Sequence, residues 1–250
     1  MSRRKIFAGN WKMYTTRGEA GSLIESIRKG LGDAGDKEVL VFPPAVHLSY
    51  VVELAKGAIA VGAQNMYFEE NGAFTGEISP VMVKDSGARY ILIGHSERRH
   101  VFGETDEMVN RKVHAAYSHS LEPVVCVGEL LEERESGKSE SVVKRQITEG
   151  LAGITGEQMK KMVVAYEPVW AIGTGKVATP EIAESMHRYI RGVLADLYGG
   201  ETAGTVPLLY GGSVKPDNIA GLYAVEDIDG VLVGGASLKA DSFLDIIHGA

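Results

Sequence analysis

A closed, eight-stranded parallel (β/α)8 barrel is the fold class this sequence predicts, and three observations carry the prediction. Short apolar runs alternate with longer amphipathic stretches from one end to the other, and eight such runs can be counted. The length of 250 residues matches eight βα units closed into a ring. Polar residues and glycines gather just after the runs: Asn10 and Lys12, Gln64 and Asn65, His95 and Glu97, Glu129, Glu167, Gly211 and Gly212, Gly234 and Gly235. An open doubly wound sheet also alternates strand and helix, but it binds ligands in one crevice beside one glycine loop. Many strand ends converging on one face favour the barrel, as one domain over residues 1–250.

The strands are expected to begin at Lys5-Ile6-Phe7-Ala8, Val39-Leu40-Val41-Phe42, Ile59-Ala60-Val61-Gly62 and Tyr90-Ile91-Leu92-Ile93. The second four are Val124-Val125-Cys126-Val127, Met162-Val163-Val164-Ala165, Pro207-Leu208-Leu209-Tyr210 and Gly230-Val231-Leu232-Val233. Most are followed by a helical pattern, as from Asp106 to Ser120 and from Pro180 to Tyr198. Thr105 and Thr179 are the natural caps of those two helices, and Pro180 suits a first turn. Two segments exceed ordinary loop lengths. The loop from Met66 to Ser79 carries exposed-looking Phe68 and Phe74 and reads as an interaction arm.

The other long segment follows the sixth strand. Tyr166-Glu167-Pro168-Val169-Trp170-Ala171-Ile172-Gly173-Thr174-Gly175-Lys176 delivers a carboxylate at a strand end, and Pro168 stops the ladder. Large apolar residues before two glycines suit a lid that excludes water and approaches a ligand closely. A carboxylate under a lid points to proton transfer kept dry.

Composition narrows the function classes. Hydrophobic content of 44% and charged content of 24% are ordinary for a soluble globular protein. A formal charge of −7 argues against a nucleic-acid or anionic-membrane surface, so an anionic substrate would need a local positive pocket. The one cysteine, Cys126, excludes an internal disulfide framework, fits a reducing cytoplasm, and reads as strand packing. The basic start Met1-Ser2-Arg3-Arg4-Lys5 precedes an apolar run too short for a signal segment, and no stretch is long enough for a membrane span. A cytoplasmic location is expected.

Residue by residue, Glu167 is the candidate base, its pKa expected to be lifted by a closed apolar environment. His95 and Glu97 sit two apart after the fourth strand, with Ser96 a candidate helix cap. Backbone N–H groups nearby would keep the imidazole neutral and able to donate to a carbonyl oxygen. Asn10 and Lys12 repeat the spacing; Lys12 would supply fixed positive charge and Asn10 a hydrogen bond. A solvated lysine or a Schiff-base lysine fits the same fragment. The pairs in Tyr210-Gly211-Gly212-Ser213 and Val233-Gly234-Gly235-Ala236-Ser237 follow the last two strands, where barrels bind phosphate through backbone N–H groups. The spacing from His95 to His100 fits no common zinc pattern, and no metal is expected.

Assembled, these motifs resemble the triosephosphate isomerase family. The resemblance rests on Gly9-Asn10-Trp11-Lys12-Met13, Gly94-His95-Ser96-Glu97-Arg98-Arg99 and the 165–175 segment, and runs on through the two glycine pairs. Gly62-Ala63-Gln64-Asn65 and Gly72-Ala73-Phe74-Thr75-Gly76-Glu77 are similar to the family's dimer region. The resemblance implies a TIM barrel that isomerises dihydroxyacetone phosphate and D-glyceraldehyde 3-phosphate, in glycolysis and gluconeogenesis, without a cofactor. It further implies Glu167 as base, His95 as electrophile, and Lys12 with Asn10 on the substrate oxygens. Gly173, Ser213, Gly234 and Gly235 would hold phosphate, and Glu97 would support Lys12. Gln64, Asn65 and Thr75 would lie at a homodimer interface formed by the loop from Met66 to Ser79.

Overall fold

In the computed structural model, which describes residues 3–172 and 178–250, eight parallel strands close on themselves in sequence order. They are β1 (Lys5–Asn10), β2 (Lys37–Phe42), β3 (Ala60–Ala63), β4 (Tyr90–Ile93), β5 (Glu122–Val127), β6 (Val163–Tyr166), β7 (Leu208–Tyr210) and β8 (Gly230–Val233). The ring is shut by β1 against β8, with Ile6 opposite Gly230 and Gly9 opposite Val233. A strand covered on both faces needs apolar residues in both phases, which is why these runs are nearly continuous in sequence. Alternation still sorts them. In β1, Ile6 and Ala8 fill the barrel interior while Phe7 packs outward against the helices.

Inside the barrel, bulky and small residues must interlock. Phe42 and Tyr90 meet at β3 because position 62 is glycine; a Cβ there would lie 2.4 Å from Phe42 Cε1. Outside, Pro180–Tyr198 buries Ala183, Met186, His187, Ile190, Val193 and Leu194, a stripe at helical spacing. Thr179 Oγ1 accepts from Ile182 N–H at its start. Helix Asp106–Ser118 is capped in the same way by Thr105, and it stops two residues before the expected Ser120. The cause is local: Ser120 takes a left-handed φ of 55°, which no helix continues through.

The long loop at 66–79 contains neither helix nor strand. Tyr67 N–H donates to Ile78 O at 2.7 Å and pins its base. Phe74 is exposed as its sequence context suggests. Phe68 is not: the Arg111 guanidinium lies 3.5 Å from its ring centroid and Tyr67 stacks on it at 4.0 Å.

Charged groups close the N-terminal mouth. Arg4 donates to Glu122 and Tyr90, Tyr90 donates to Glu38 at 2.6 Å, and Arg89 joins Glu38 and Glu122. That end is a stabilising plug, leaving the C-terminal mouth for chemistry. No helix among the described residues is long and apolar enough to cross a membrane.

Candidate active site

A cavity of about 390 Å³ opens at the C-terminal mouth, lined from five strand ends: Asn10 at the end of β1 and Lys12 beyond it, His95 after β4, Glu167 after β6, Gly211–Ser213 after β7, and Gly234–Gly235 after β8. The barrel thus brings together most of the residues singled out in the sequence.

Glu167 is fixed through its backbone before its side chain is considered. Its N–H donates to Val127 O at 2.8 Å, and Gly211 N–H donates to Tyr166 O at 2.7 Å. Neighbouring strands come so close that a Cβ at position 128 would fall 1.7 Å from Glu167 O; only glycine fits. The buried carboxylate accepts from Ser96 N–H at 2.8 Å, and its other oxygen lies 3.0 Å from His95 Nε2. Burial pushes this carboxyl up, but His95, the Ser96 N–H and Lys12 together outweigh it and leave the pKa below the ordinary glutamate value. The expected upward shift is therefore corrected: the apolar surroundings are real, but the carboxylate already has partners.

His95 follows Gly94, whose φ of 71° turns the chain out of β4. His95 itself, not Ser96, caps the short helix Ser96–His100, its Nδ1 accepting from Glu97 N–H at 3.2 Å. Gly94 leaves His95 extended, so its ring swings over the first turn while Ser96 is already helical. An Nδ1 that accepts carries no proton, which assigns the remaining one to Nε2, facing Glu167. Burial pushes the imidazole down; the Glu167 charge overcomes this and raises it. Burial and carboxylate thus pull the ring in opposite directions.

Lys12 has the left-handed φ of 52°, a costly conformation for a side-chain-bearing residue. Two side chains hold it there. Asn10 Oδ1 accepts from Lys12 N–H at 2.9 Å, and Gln64 Nε2 donates to Lys12 O at 2.8 Å and Phe42 O at 2.9 Å. Lys12 Nζ reaches Glu97 Oε1 at 2.7 Å. Asn10 spends its oxygen on the backbone, leaving its amide N–H groups for a ligand.

On the opposite wall, Asn218 Nδ2 donates to Ser213 O at 3.0 Å and ties down the loop after β7. Gly234 precedes the 3-10 turn Gly235–Leu238 after β8. Gly173 lies outside the described residues. Away from the cavity, Asn65 Oδ1 accepts from the buried Lys112 Nζ at 2.7 Å, and Lys112 also meets Glu104, which pairs with Arg98. Thr75 stands exposed on the long loop. Cys126 is buried beside Glu167, and burial pushes its thiol well up, consistent with packing rather than nucleophilic chemistry.

Sequence reasoning missed the root of the lid. Glu129 is fully buried and accepts from Tyr166 OH and from Trp170 Nε1, the latter at 2.8 Å. Arg134 lies 4.5 Å from the Trp170 ring centroid and 3.6 Å from Glu129 Oε1. One carboxylate therefore grips the residues on both sides of Glu167-Pro168. A buried indole demands an acceptor, which is a legible signal, but nothing in the chain order says that Glu129 supplies it.

A carboxylate, an imidazole and an ammonium around one cavity define a barrel enzyme equipped for proton transfer, and comparison with known proteins narrows the class. The family model described as triosephosphate isomerase matches residues 5–250. Proteins named triosephosphate isomerase from Roseiflexus castenholzii, Chloroflexus aurantiacus and Caldanaerobacter subterraneus subsp. tengcongensis are 57%, 55% and 56% identical over 247 residues. Each alignment covers 98% of this chain and 97–99% of the relative. The chain belongs to the triosephosphate isomerase family.

Proposed function

We propose that this enzyme interconverts dihydroxyacetone phosphate and D-glyceraldehyde 3-phosphate through an enediolate, a step of glycolysis and gluconeogenesis, with Glu167 as the base. The observation that carries the assignment of the base is its carboxylate, buried at the cavity floor and 3.0 Å from His95 Nε2. Substrate entering between them separates the pair. Glu167 then loses His95, the strongest of the influences that lower its pKa, and keeps the burial that raises it, which turns a quiet carboxylate towards a base.

Glu167 takes a proton from the carbon beside the carbonyl, and charge moves to the carbonyl oxygen. His95 Nε2–H and the Lys12 ammonium meet that charge, and the Asn10 amide donates beside them. His95 carries a proton between the two oxygens. Glu167 returns its proton to the neighbouring carbon, so substrate and product differ only in where the hydrogens sit. With the Glu167 charge spent on carbon, the pull that raised the imidazole is gone. The Glu97 N–H on Nδ1 then favours the neutral ring, which donates without first losing a proton.

The phosphate is assigned to backbone N–H groups of Ser213, Gly234 and Gly235, and of Gly173 in the undescribed part of the lid. An enediolate beside a phosphate can expel it, so holding the phosphate while water is kept out protects the intermediate. Exposed Met13, Phe74 and Phe102 support a homodimer through the 66–79 loop, since apolar groups of that size seek cover. In that dimer Thr75 meets the neighbouring subunit's site, with Gln64 and Asn65 buttressing the interface. The net charge supports an enzyme that binds neither nucleic acid nor membrane, and the single cysteine supports a cytoplasmic location.

A coupled assay of glyceraldehyde 3-phosphate turnover tests the reading. Rapid conversion is expected, and a folded protein without turnover would refute it.

A further inference from the structure

The charges around the cavity do not suit its substrate. Lys12, Glu167 and Lys215 are the formally charged groups among the described residues that line it. The Lys12 ammonium is already matched by Glu97 at 2.7 Å, so Glu167 leaves the inner cavity negative. The whole chain carries −7. A phosphate dianion approaching this mouth meets like charge both near and far, which slows encounter as well as weakening binding.

Lys215 stands where that repulsion can be offset. It lines the cavity from the loop after β7, two residues beyond Ser213, and it is exposed. Its backbone is fixed: Lys215 N–H donates to Asn218 Oδ1 at 2.9 Å, while its carbonyl accepts from Asn218 and Ile219 N–H. Pro216 follows and stiffens the turn. The ammonium, by contrast, has no ion pair or hydrogen bond among the described residues. Other exposed lysines, Lys56 and Lys144 among them, are unpaired as well; among the described residues Lys215 is the unpaired one that lines the cavity. A cation anchored at its base, unpaired at its tip and placed on the phosphate wall is equipped to meet an incoming anion.

We propose that Lys215 is a capture residue for the phosphate dianion, drawing substrate to the cavity mouth without taking part in the proton transfers. The inference rests on the site reading above. It selects for charge: doubly charged phosphate esters gain from it, while a neutral triose gains nothing. Since attraction at the mouth precedes chemistry, its effect falls on kcat/KM and is screened by salt.

Kinetics of Lys215→Gln and Lys215→Arg, measured from roughly 0.01 to 0.3 M salt where the screening length contracts severalfold, provide the test. At low salt Lys215→Gln should lose about three- to tenfold in kcat/KM. Its salt dependence should be shallower, its profile should meet that of the unaltered chain at high salt, and kcat should scarcely move. Lys215→Arg should follow the unaltered chain throughout. Coincident salt profiles for Lys215→Gln and an active unaltered chain would overturn the assignment and leave the isomerase reading intact. A loss of kcat equal at every salt concentration would also overturn it, since that is positioning rather than capture. Failure of the unaltered chain to turn over substrate would instead bring down the site reading, and this inference with it.

Discussion

Glu167 acts through its length as much as through its charge. Its backbone is locked between β5 and β7, so shortening the side chain cannot be compensated by a shift of the main chain. Glu167→Asp draws the carboxylate back by one methylene and should lower kcat by about a hundredfold or more, since an ångström of misplacement costs that much. Equal activity in the variant would remove Glu167 from the chemistry. A second residue, His187, carries a pH signature unconnected with catalysis. It lies edge-on to Tyr166 and its Nδ1 donates to Asp227 O, and complete burial pushes its pKa down from 6.5 to about 4. Above pH 6.5 both folded and unfolded chains hold it neutral. Between there and pH 4 only the unfolded chain takes up the proton, so stability falls with acid by roughly 3 kcal/mol, and below pH 4 this contribution is exhausted. His187→Phe should flatten that part of the urea-unfolding profile; an unchanged slope would contradict it. At this scale the sequence was informative where a residue's position along its own strand sets its role, as for Glu167 before Pro168. It singled out Gln64 for an interface but not for its clamp on Lys12, which depends on how closely β1, β2 and β3 sit side by side.

The lid root behaves as a unit. Tyr166, Glu129, Trp170 and Arg134 join β5, β6 and the following turn, and Arg134 is the cation beside a carboxylate with no exposure to water. Arg134→Met keeps the stem over the indole and removes the charge. It should cost about 1–2 kcal/mol, discounted because the guanidinium is partly hydrated. Acrylamide quenching of tryptophan emission should increase, since Trp11 is fully buried and Trp170 is the indole at issue. No change in either quantity would show that Arg134 does not hold the turn. All eight strands were legible in outline because each is an apolar run between polar ends. Helix limits were less so: the stop at Ser118 depends on one left-handed serine, and the single turns Gly156–Met159 and Gly200–Ala203 are too short for periodicity to register.

Across the whole molecule, chemistry and stabilising charge occupy opposite mouths of the ring. The clustering of polar residues after the strands made that polarity readable, whereas the Arg4–Glu38–Arg89–Glu122 plug was not, because its members are far apart in sequence. Among the described residues the exposed large hydrophobics include Met13, 95% exposed, and Phe102, 65% exposed. Sedimentation at micromolar concentration should therefore give twice the 26.8 kDa chain mass, and a monomer would refute the dimer.

The pairing of β1 with β8 has a consequence for how the protein is made. Lys12 belongs to the first βα unit and Gly234 to the eighth, yet they lie side by side at one cavity, a Cβ at position 234 falling 3.3 Å from Lys12 Cε. A nascent chain on the ribosome must leave both outer strands of an incomplete sheet unpaired until β8, at Gly230–Val233, has emerged. Prematurely terminated products are then inactive and prone to stick through those bare edges. Possession of a working site is, for this topology, a certificate that translation ran through the eighth strand.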